Sequence, residues 1–205
     1  MPADDWDRLF DELYLRTYAQ IDRDVDPAAE AVAAARLAGL EPGVDVLDCP
    51  CGYGRHSIPL ARAGFHVVGA DRSPVLLEEA RRRGGDGEWP RWVAADHRQL
   101  PFADASFDCV LNLFTALGYR GEDGDRKTLA ELRRVLRPGG ALVLETMHRD
   151  RLASIFQPRL WDPLPDGAVL VEERAGFTGI ECYGGLAREE LEIETRLVVL
   201  ARAPE

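Results

Sequence analysis

The stretch Val46-Leu-Asp-Cys-Pro-Cys-Gly-Tyr-Gly-Arg-His56 joins an apolar run to a loop that contains two glycines. The apolar run predicts a short buried strand, and the residues after the loop predict a helix. Gly52 and Gly54 let the backbone turn sharply and approach a ligand closely, although any tight turn can use such a pair. The N-terminus of the following helix presents unpaired N–H groups that suit a carboxylate or a phosphate.

Strands and helices alternate on both sides of this unit. Buried strands are predicted over residues 44–49, 65–70, 91–95, 107–113 and 141–146. Capping signals predict two of the helices: Asp26 precedes Pro27 in one, and Ser73 precedes Pro74 in the other. A further amphipathic helix is predicted over residues 122–136 and is ended by the glycines at 139 and 140. The alternation predicts an α/β fold with a mostly parallel sheet and right-handed crossovers.

Three acidic residues follow three successive predicted strands: Asp48, Asp71 and Asp96. The carboxyl ends of parallel strands share one edge of a sheet, where open α/β sheets bind ligands. A carboxylate in the position of Asp71 can accept both hydroxyls of a ribose, and one at Asp96 can accept the amino group of adenine. Each acid alone is also compatible with a simple turn. Together with the glycine loop they predict a nucleoside ligand with an anionic group near the first helix.

With these motifs the chain resembles the class I S-adenosylmethionine-dependent methyltransferases, over about residues 40–146. The motifs that carry the resemblance are Leu47-Asp-Cys-Pro-Cys-Gly-Tyr-Gly, Gly69-Ala-Asp71, Ala95-Asp96 with Leu100-Pro-Phe, Ser106-Phe-Asp-Cys-Val-Leu-Asn112, and Leu132-Arg-Arg-Val-Leu-Arg-Pro-Gly-Gly140. The resemblance implies a Rossmann-like three-layer sandwich whose C-terminal strand is antiparallel. It implies one domain over residues 1–205, with N-terminal helices over 1–40, a cofactor-binding core over 41–147 and a C-terminal part over 148–205.

The resemblance also implies a cofactor, S-adenosylmethionine, with S-adenosylhomocysteine as product. The loop from Asp48 to Gly54 would hold the methionine part, Asp71 the ribose and Asp96 the adenine. The wall beside the sulfonium would be formed by Asn112 and Leu113. The cofactor-binding residues expected on this basis are Tyr14, Tyr18, Asp48, Cys49, Gly52, Gly54, Asp71, Arg72, Asp96, His97, Asn112 and Leu113. The two tyrosines are alternatively plain packing residues.

A catalytic base is needed only when the methyl acceptor arrives protonated. His148, just after the fifth predicted strand, is the candidate base, because neutral imidazole accepts a proton near pH 7. The alternative is a histidine in a surface loop. Tyr119 and Glu145 are further residues that could face the acceptor. No metal site is expected, because the pair Cys49 and Cys51 is accompanied by no second pair of ligands.

Composition limits the class of partner. The formal net charge is −11 and the chain has a single lysine, so nucleic acid is not an expected partner and the acceptor is expected to be a small molecule. No apolar run reaches the roughly 18–20 residues of a membrane span, and the acidic N-terminus does not resemble a secretory signal. A cytoplasmic location follows as an expectation. Residues 193–200 are interpreted as an edge strand that could pair with another chain.

The C-terminal third leaves alternatives open. Arg174-Ala-Gly-Phe repeats the helix ending seen at Arg62-Ala-Gly-Phe, yet the residues before it have the pattern of a strand. Either the fold is shortened between its fifth and sixth strands, or residues 169–175 form a short helix. A methyltransferase that acts by in-line displacement is the favoured interpretation, and the alternative is a non-catalytic S-adenosylmethionine-binding domain with an incomplete acceptor site. The enzyme is favoured if residues 154–175 fold over the crevice, and the binding domain if they leave it open. A nicotinamide dehydrogenase is disfavoured, because Ser57 stands where its fingerprint requires a third glycine.

Overall fold

The computed structural model describes residues 10, 12, 14, 15, 26–147, 178–183 and 196–203. The helices with defined bounds among these residues are α1 (Pro27–Leu37), α2 (Ser57–Arg62), α3 (Pro74–Gly84) and α4 (Gly121–Val135). The strands are β1 (Asp45–Asp48), β2 (His66–Asp71), β3 (Arg91–Ala94), β4 (Phe107–Asn112), β5 (Leu136–Met147), β6 (Thr178–Tyr183) and β7 (Arg196–Arg202). Among the described residues, Glu12, Tyr14 and Leu15 are also helical.

The strands form one sheet in the order β3-β2-β1-β4-β5-β7-β6. The ladders from β3 to β5 are all parallel, and β7 is antiparallel to both of its neighbours. The predicted α/β fold with a mostly parallel sheet and an antiparallel C-terminal strand is therefore confirmed. The prediction that residues 193–200 form an edge strand is wrong, because β6 pairs along the outer side of β7 and takes the edge position.

Each face of the sheet has its own apolar core, because neighbouring residues of a strand point to opposite faces. Val46 packs with α1 and α2 on one face, while Leu47 packs with α4 on the other. Full burial of one such side chain contributes about 1.5–3 kcal/mol. Layers of helix on both faces give the three-layer arrangement and leave the carboxyl ends of the strands clear for a site.

Local signals place the helix ends. The Asp26 carboxylate accepts the Ala28 N–H at 2.9 Å, and the Ser73 hydroxyl oxygen accepts the Leu76 N–H at 3.2 Å, so both predicted caps are confirmed. The last predicted helix ends one residue early and β5 begins at once, at Leu136 rather than at 141, because Leu136 pairs with Phe107. The register of the ladder then shifts, which accommodates Pro138 within the strand.

Several expectations lie outside the described residues. They include the proposed shortening between the fifth and sixth strands, the alternative helix over 169–175, and the residues Tyr18 and His148. The division of the chain into three parts likewise remains a prediction. Within the described ranges, no helix is both long and apolar enough to cross a membrane.

Candidate functional site

A cavity of about 770 Å³ opens at the carboxyl ends of the strands, within the range typical of small-molecule sites. One half of it adjoins the ends of β1, β2 and β3 and is lined by the loop residues 50–53 with Asp71, Arg72, Asp96 and His97. The other half adjoins the ends of β4 and β5 and is lined by Arg55, His56, Phe114, Thr115, Tyr119 and Glu145, among others. The site thus spans the middle of the sheet.

The structure brings most of the predicted site residues to this cavity. Those that line it are Tyr14, Gly52, Asp71, Arg72, Asp96, His97 and Leu113. Those that lie outside its lining are Asp48, Cys49, Gly54 and Asn112. Asp48, Cys49 and Asn112 are each at most 1% exposed, so they are buried in the protein and do not form the surface of the cavity.

Asp71 is held at the end of β2 by two backbone groups. The Gly52 N–H donates to its Oδ2 and the Ser73 N–H to its Oδ1, both at 2.8 Å. Burial raises the pKa of this carboxyl, and these two hydrogen bonds oppose the rise. A carboxylate has about four lone-pair sites, so each oxygen retains acceptor capacity after these bonds. The residue therefore ties the glycine loop to the sheet, lines the cavity and retains acceptor capacity.

The loop itself depends on left-handed backbone at two glycines. Gly52 has φ +54° and Gly54 has φ +81°. A methyl group added at Gly52 would meet no atom within 4 Å, which means that this side of the backbone faces open cavity. At Gly54 a methyl group would lie 2.5 Å from Cη2 of Trp92, so that side faces packed protein. The loop accordingly presents one glycine to the cavity and one to the interior.

Two buried side chains brace this loop from behind. The Ser57 hydroxyl of α2 donates to Asp48 Oδ2 at 2.5 Å, and burial raises the pKa of the Asp48 carboxyl. The side-chain amide of Asn112 donates to the Cys49 carbonyl at 2.7 Å. Its Oδ1 has no hydrogen-bond partner among the residues that the structure describes. These bonds join the loop to α2 and to the end of β4.

Asp96 is strongly engaged by a neighbour in the chain. Its oxygens accept the backbone N–H and the guanidinium of Arg98, and the guanidinium of Arg72 lies 3.7 Å away. The Arg98 guanidinium holds the pKa of this carboxyl well below its usual range. Burial lowers the pKa of His97, which favours its neutral form. This corner of the cavity combines a fixed anion with an imidazole ring.

The cysteines of the loop are structural. Cys49 and Cys51 are buried free thiols, and burial raises their pKa well above the ordinary value of 9.0, which suppresses the reactive thiolate. Within the described part of the chain, no group of three or more histidine, cysteine or acidic residues is arranged to hold a metal ion.

The β4–β5 half contains residues that the sequence did not reveal. Phe114 and Thr115 have φ of +63° and +56°, a conformation that side-chain-bearing residues rarely adopt. The Glu145 carboxylate accepts the Phe114 N–H at 2.7 Å, and the Glu145 carbonyl accepts the Thr115 N–H at 3.1 Å. The guanidinium carbon of Arg55 lies 4.4 Å from the centre of the Phe114 ring. No local sequence signal marks a left-handed turn at phenylalanine and threonine.

Aromatic rings cover part of the opening. The Phe10 ring lies 5.2 Å from that of Tyr14 and 5.7 Å from that of Tyr119. The Phe10 carbonyl accepts the hydroxyl of Ser73 at 2.7 Å, which fastens this cover to the start of α3. The Glu30 carboxylate lies 2.7 Å from an Arg55 nitrogen, so α1 anchors the arginine of the opposite wall.

The chain is similar in sequence to known methyltransferases. The family model described as "Methyltransferase domain" matches residues 46–140. A demethylmenaquinone methyltransferase of Clavibacter sepedonicus is 43% identical over 113 residues, which cover 55% of this chain and 45% of the relative. The chain thus spans about half the length of the curated relatives that it matches.

Solved structures share this fold. A TehB-like SAM-dependent methyltransferase from Corynebacterium glutamicum superposes with a TM-score of 0.70 at 24% identity, covering 94% of this chain and 99% of the other. A magnesium protoporphyrin IX methyltransferase from Synechocystis, crystallised with bound SAH, has a TM-score of 0.70 at 18% identity and 98% coverage of both chains. At these identities the likeness establishes the fold.

Proposed function

We propose that the chain is a class I S-adenosylmethionine-dependent methyltransferase that transfers the methyl group of S-adenosylmethionine to a small-molecule acceptor, which the match to the methyltransferase family model and the methyltransferase relatives support. The observation that carries this proposal is the carboxylate of Asp71. It stands at the end of β2, lines the cavity, is 7% exposed, and retains acceptor capacity while it holds the glycine loop. A vicinal diol is the ligand group that two adjacent acceptors of this kind would bind.

The cavity residues fit this cofactor. The open side of Gly52 is a place where the backbone can approach a ligand and where any side chain would intrude. Asp71 would accept the ribose hydroxyls, and the corner formed by Asp96 and His97 would take the adenine. Leu113 would form the wall toward the reacting group. Asp48 and Asn112 would act indirectly, through the loop that they brace.

The bound cofactor supplies an already activated methyl group on a positively charged sulfur. The protein residues therefore contribute mainly by aligning the acceptor and by keeping water out. The rings of Phe10, Tyr14 and Tyr119 form a cover suited to exclude water. The Phe114–Thr115 turn forms the wall where an acceptor would lie, since it adjoins the ends of β4 and β5 beside the cofactor half.

The acceptor is proposed only by class. The Clavibacter relative is named for demethylmenaquinone, and its match covers little more than half of this chain. Demethylmenaquinone is therefore one compound to test among small aromatic acceptors, which suit the phenyl and phenol rings of the cavity wall. The net charge of −11 supports a small acceptor over nucleic acid and is compatible with the proposed cytoplasmic location. For an acceptor that arrives protonated, His148, Tyr119 and Glu145 are the proposed candidates for a base.

The decisive experiment is a calorimetric titration of the purified protein with S-adenosylhomocysteine, beside the variant Asp71→Ala. Loss of hydrogen bonds to a carboxylate, worth roughly 1.5–3 kcal/mol each, predicts that the dissociation constant of the variant is at least about tenfold higher. The matched control is Asp45→Ala, an acid at the other end of the sheet that pairs with Arg137, and it should bind normally.

Turnover is then measured as S-adenosylhomocysteine released from S-adenosylmethionine in the presence of candidate acceptors, starting with demethylmenaquinone. Acceptor-dependent release supports the enzyme. If the folded protein binds neither S-adenosylmethionine nor S-adenosylhomocysteine, the proposed cofactor is contradicted. If it binds them but none of the tested acceptors leads to release of S-adenosylhomocysteine, the chain is a cofactor-binding domain rather than a transferase.

A further inference from the structure

One indole ring fills the space left by three glycines. Trp92 of β3 is the register partner of Gly69 on β2. A methyl group added at Gly69 would lie 2.5 Å from Cζ3 of this indole, and one added at Gly84, the last residue of α3, would lie 3.2 Å from Cζ2. With Gly54, where the distance to Cη2 is 2.5 Å, the ring contacts a loop, a strand and a helix end that are far apart in sequence.

Steric need accounts for two of these glycines. Gly69 and Gly84 do not have a left-handed backbone, so an alanine would adopt their conformation without strain. Alanine would even be the better helix former at position 84. At Gly69 the indole forbids a side chain, because carbon atoms do not approach one another to 2.5 Å, whereas at Gly84 a methyl group 3.2 Å from the ring would be a tight contact. Trp92 and Gly69 are therefore a matched pair.

The ring lies behind the loop that faces the cavity. Cys51, Gly52 and Tyr53 line the cavity, whereas Gly54 and Trp92 are not part of its lining. The Cys51 thiol also reaches the same space, since a methyl group at Gly69 would lie 3.0 Å from its Sγ. The Cys51 N–H donates to the Ala70 carbonyl at 2.9 Å, which fixes the loop to β2 at this point. The indole thus supports the loop on the side opposite the ligand.

From this geometry we propose that Trp92 is a positioning residue for the cofactor: its indole sets how far residues 51–54 project into the cavity. The proposal rests on the proposed function, because it assumes that this loop holds S-adenosylmethionine. Removing the ring lets the loop sink away from the ligand. A methyl group at Gly69 displaces the ring toward the loop. Either change misplaces backbone that the ligand contacts.

The test compares four variants with the unmodified protein: Trp92→Leu, Gly69→Ala, the double variant, and the control Leu132→Ala. Leu132 is fully buried in α4, in an apolar core cluster that contains none of residues 51–54, so its truncation destabilises the fold away from that part of the loop. Each protein is titrated with S-adenosylhomocysteine by calorimetry well below its melting temperature. Hydrogen exchange of the amides of residues 51–53 is followed by mass spectrometry without ligand.

We expect each single change at the matched pair to weaken S-adenosylhomocysteine binding by about tenfold, equivalent to one lost hydrogen bond to a charged group. The double variant should bind no more weakly than either single variant, because the leucine side chain in place of Trp92 leaves room for the methyl group of the alanine in place of Gly69. Trp92→Leu should speed loop exchange. Leu132→Ala should lower the melting temperature, yet keep its affinity within about twofold and its loop exchange unchanged.

Three results would overturn the proposal: normal affinity in folded Trp92→Leu, additive losses in the double variant, or an equal affinity loss in Leu132→Ala. If the unmodified protein fails to bind S-adenosylhomocysteine, the proposed function fails. Hydrogen exchange of the loop amides then still tests the structural role of Trp92. If exchange is faster in Trp92→Leu but not in Leu132→Ala, Trp92 supports the loop; if exchange in Trp92→Leu is unchanged, it does not.

Discussion

The left-handed turn at Phe114 and Thr115 needs support from Glu145, and replacing Glu145 with alanine measures that support. A left-handed conformation costs roughly 1–2 kcal/mol at each residue that carries a side chain, so the pair costs about 2–4 kcal/mol. The 2.7 Å hydrogen bond from the Phe114 N–H to the Glu145 carboxylate is one interaction that offsets this cost. Hydrogen bonds to charged groups contribute about 1.5–3 kcal/mol. Glu145→Ala should therefore lower the free energy of unfolding by about 1.5–3 kcal/mol.

Urea denaturation at pH 7 measures this loss. Glu145→Gln keeps an oxygen that can accept the Phe114 N–H, so it should lose less than Glu145→Ala. Thr115→Gly removes the backbone strain at that residue, so when it is added to Glu145→Ala it should restore part of the lost stability. Glu122→Ala, an exposed change on α4, controls for the removal of a surface charge and should stay within about 0.5 kcal/mol. The reasoning is refuted if Glu145→Ala is as stable as the unmodified protein, or if glutamine is no better than alanine.

Two further substitutions test the glycine loop. The pKa of Asp48 is raised from its ordinary 3.8, so the folded state binds this proton more tightly than the unfolded state, and the ionised form destabilises the fold once the pH exceeds about 3.8. The stability of Asp48→Asn relative to the unmodified protein should thus improve as the pH rises from about 3.5 to 7, and a constant difference in urea denaturation would contradict this. Gly52→Ala and Gly39→Ala place a side chain on left-handed backbone in open space, so each should cost about 1 kcal/mol, but only Gly52→Ala should weaken S-adenosylhomocysteine binding in calorimetry.

Interactions between neighbours in the chain made much of this fold predictable. The caps at Asp26 and Ser73 bind backbone two or three residues away, so the sequence alone identifies them. The strand-end acids are also local signals, because a parallel sheet brings the ends of its strands to one edge. This is why Asp71 and Asp96 were expected to lie together, as they do in the cavity lining.

Features set by distant contacts were not predictable. The place of β7 inside the sheet depends on its pairing with β6, and nothing within the strand itself indicates two partners. The turn at Phe114 depends on Glu145, which is 31 residues away. The packing of Trp92 joins three elements, and its glycines lie singly in a loop, in a strand and at a helix end, where none of them indicates an indole partner.

Asp71 shows why two interpretations of one residue need not compete. From the sequence, its carboxylate was either a ligand for ribose or an acid that shapes the turn before a helix. The turn role is present, since Oδ1 accepts the N–H of Ser73 two residues later. The turn role does not exhaust the carboxylate, because Asp71 also lines the cavity and a carboxylate has about four lone-pair sites, which the N–H groups of Ser73 and Gly52 do not fill. The bonds that shape the turn therefore orient the carboxylate for a ligand, and a group already fixed in place has less conformational entropy to lose on binding.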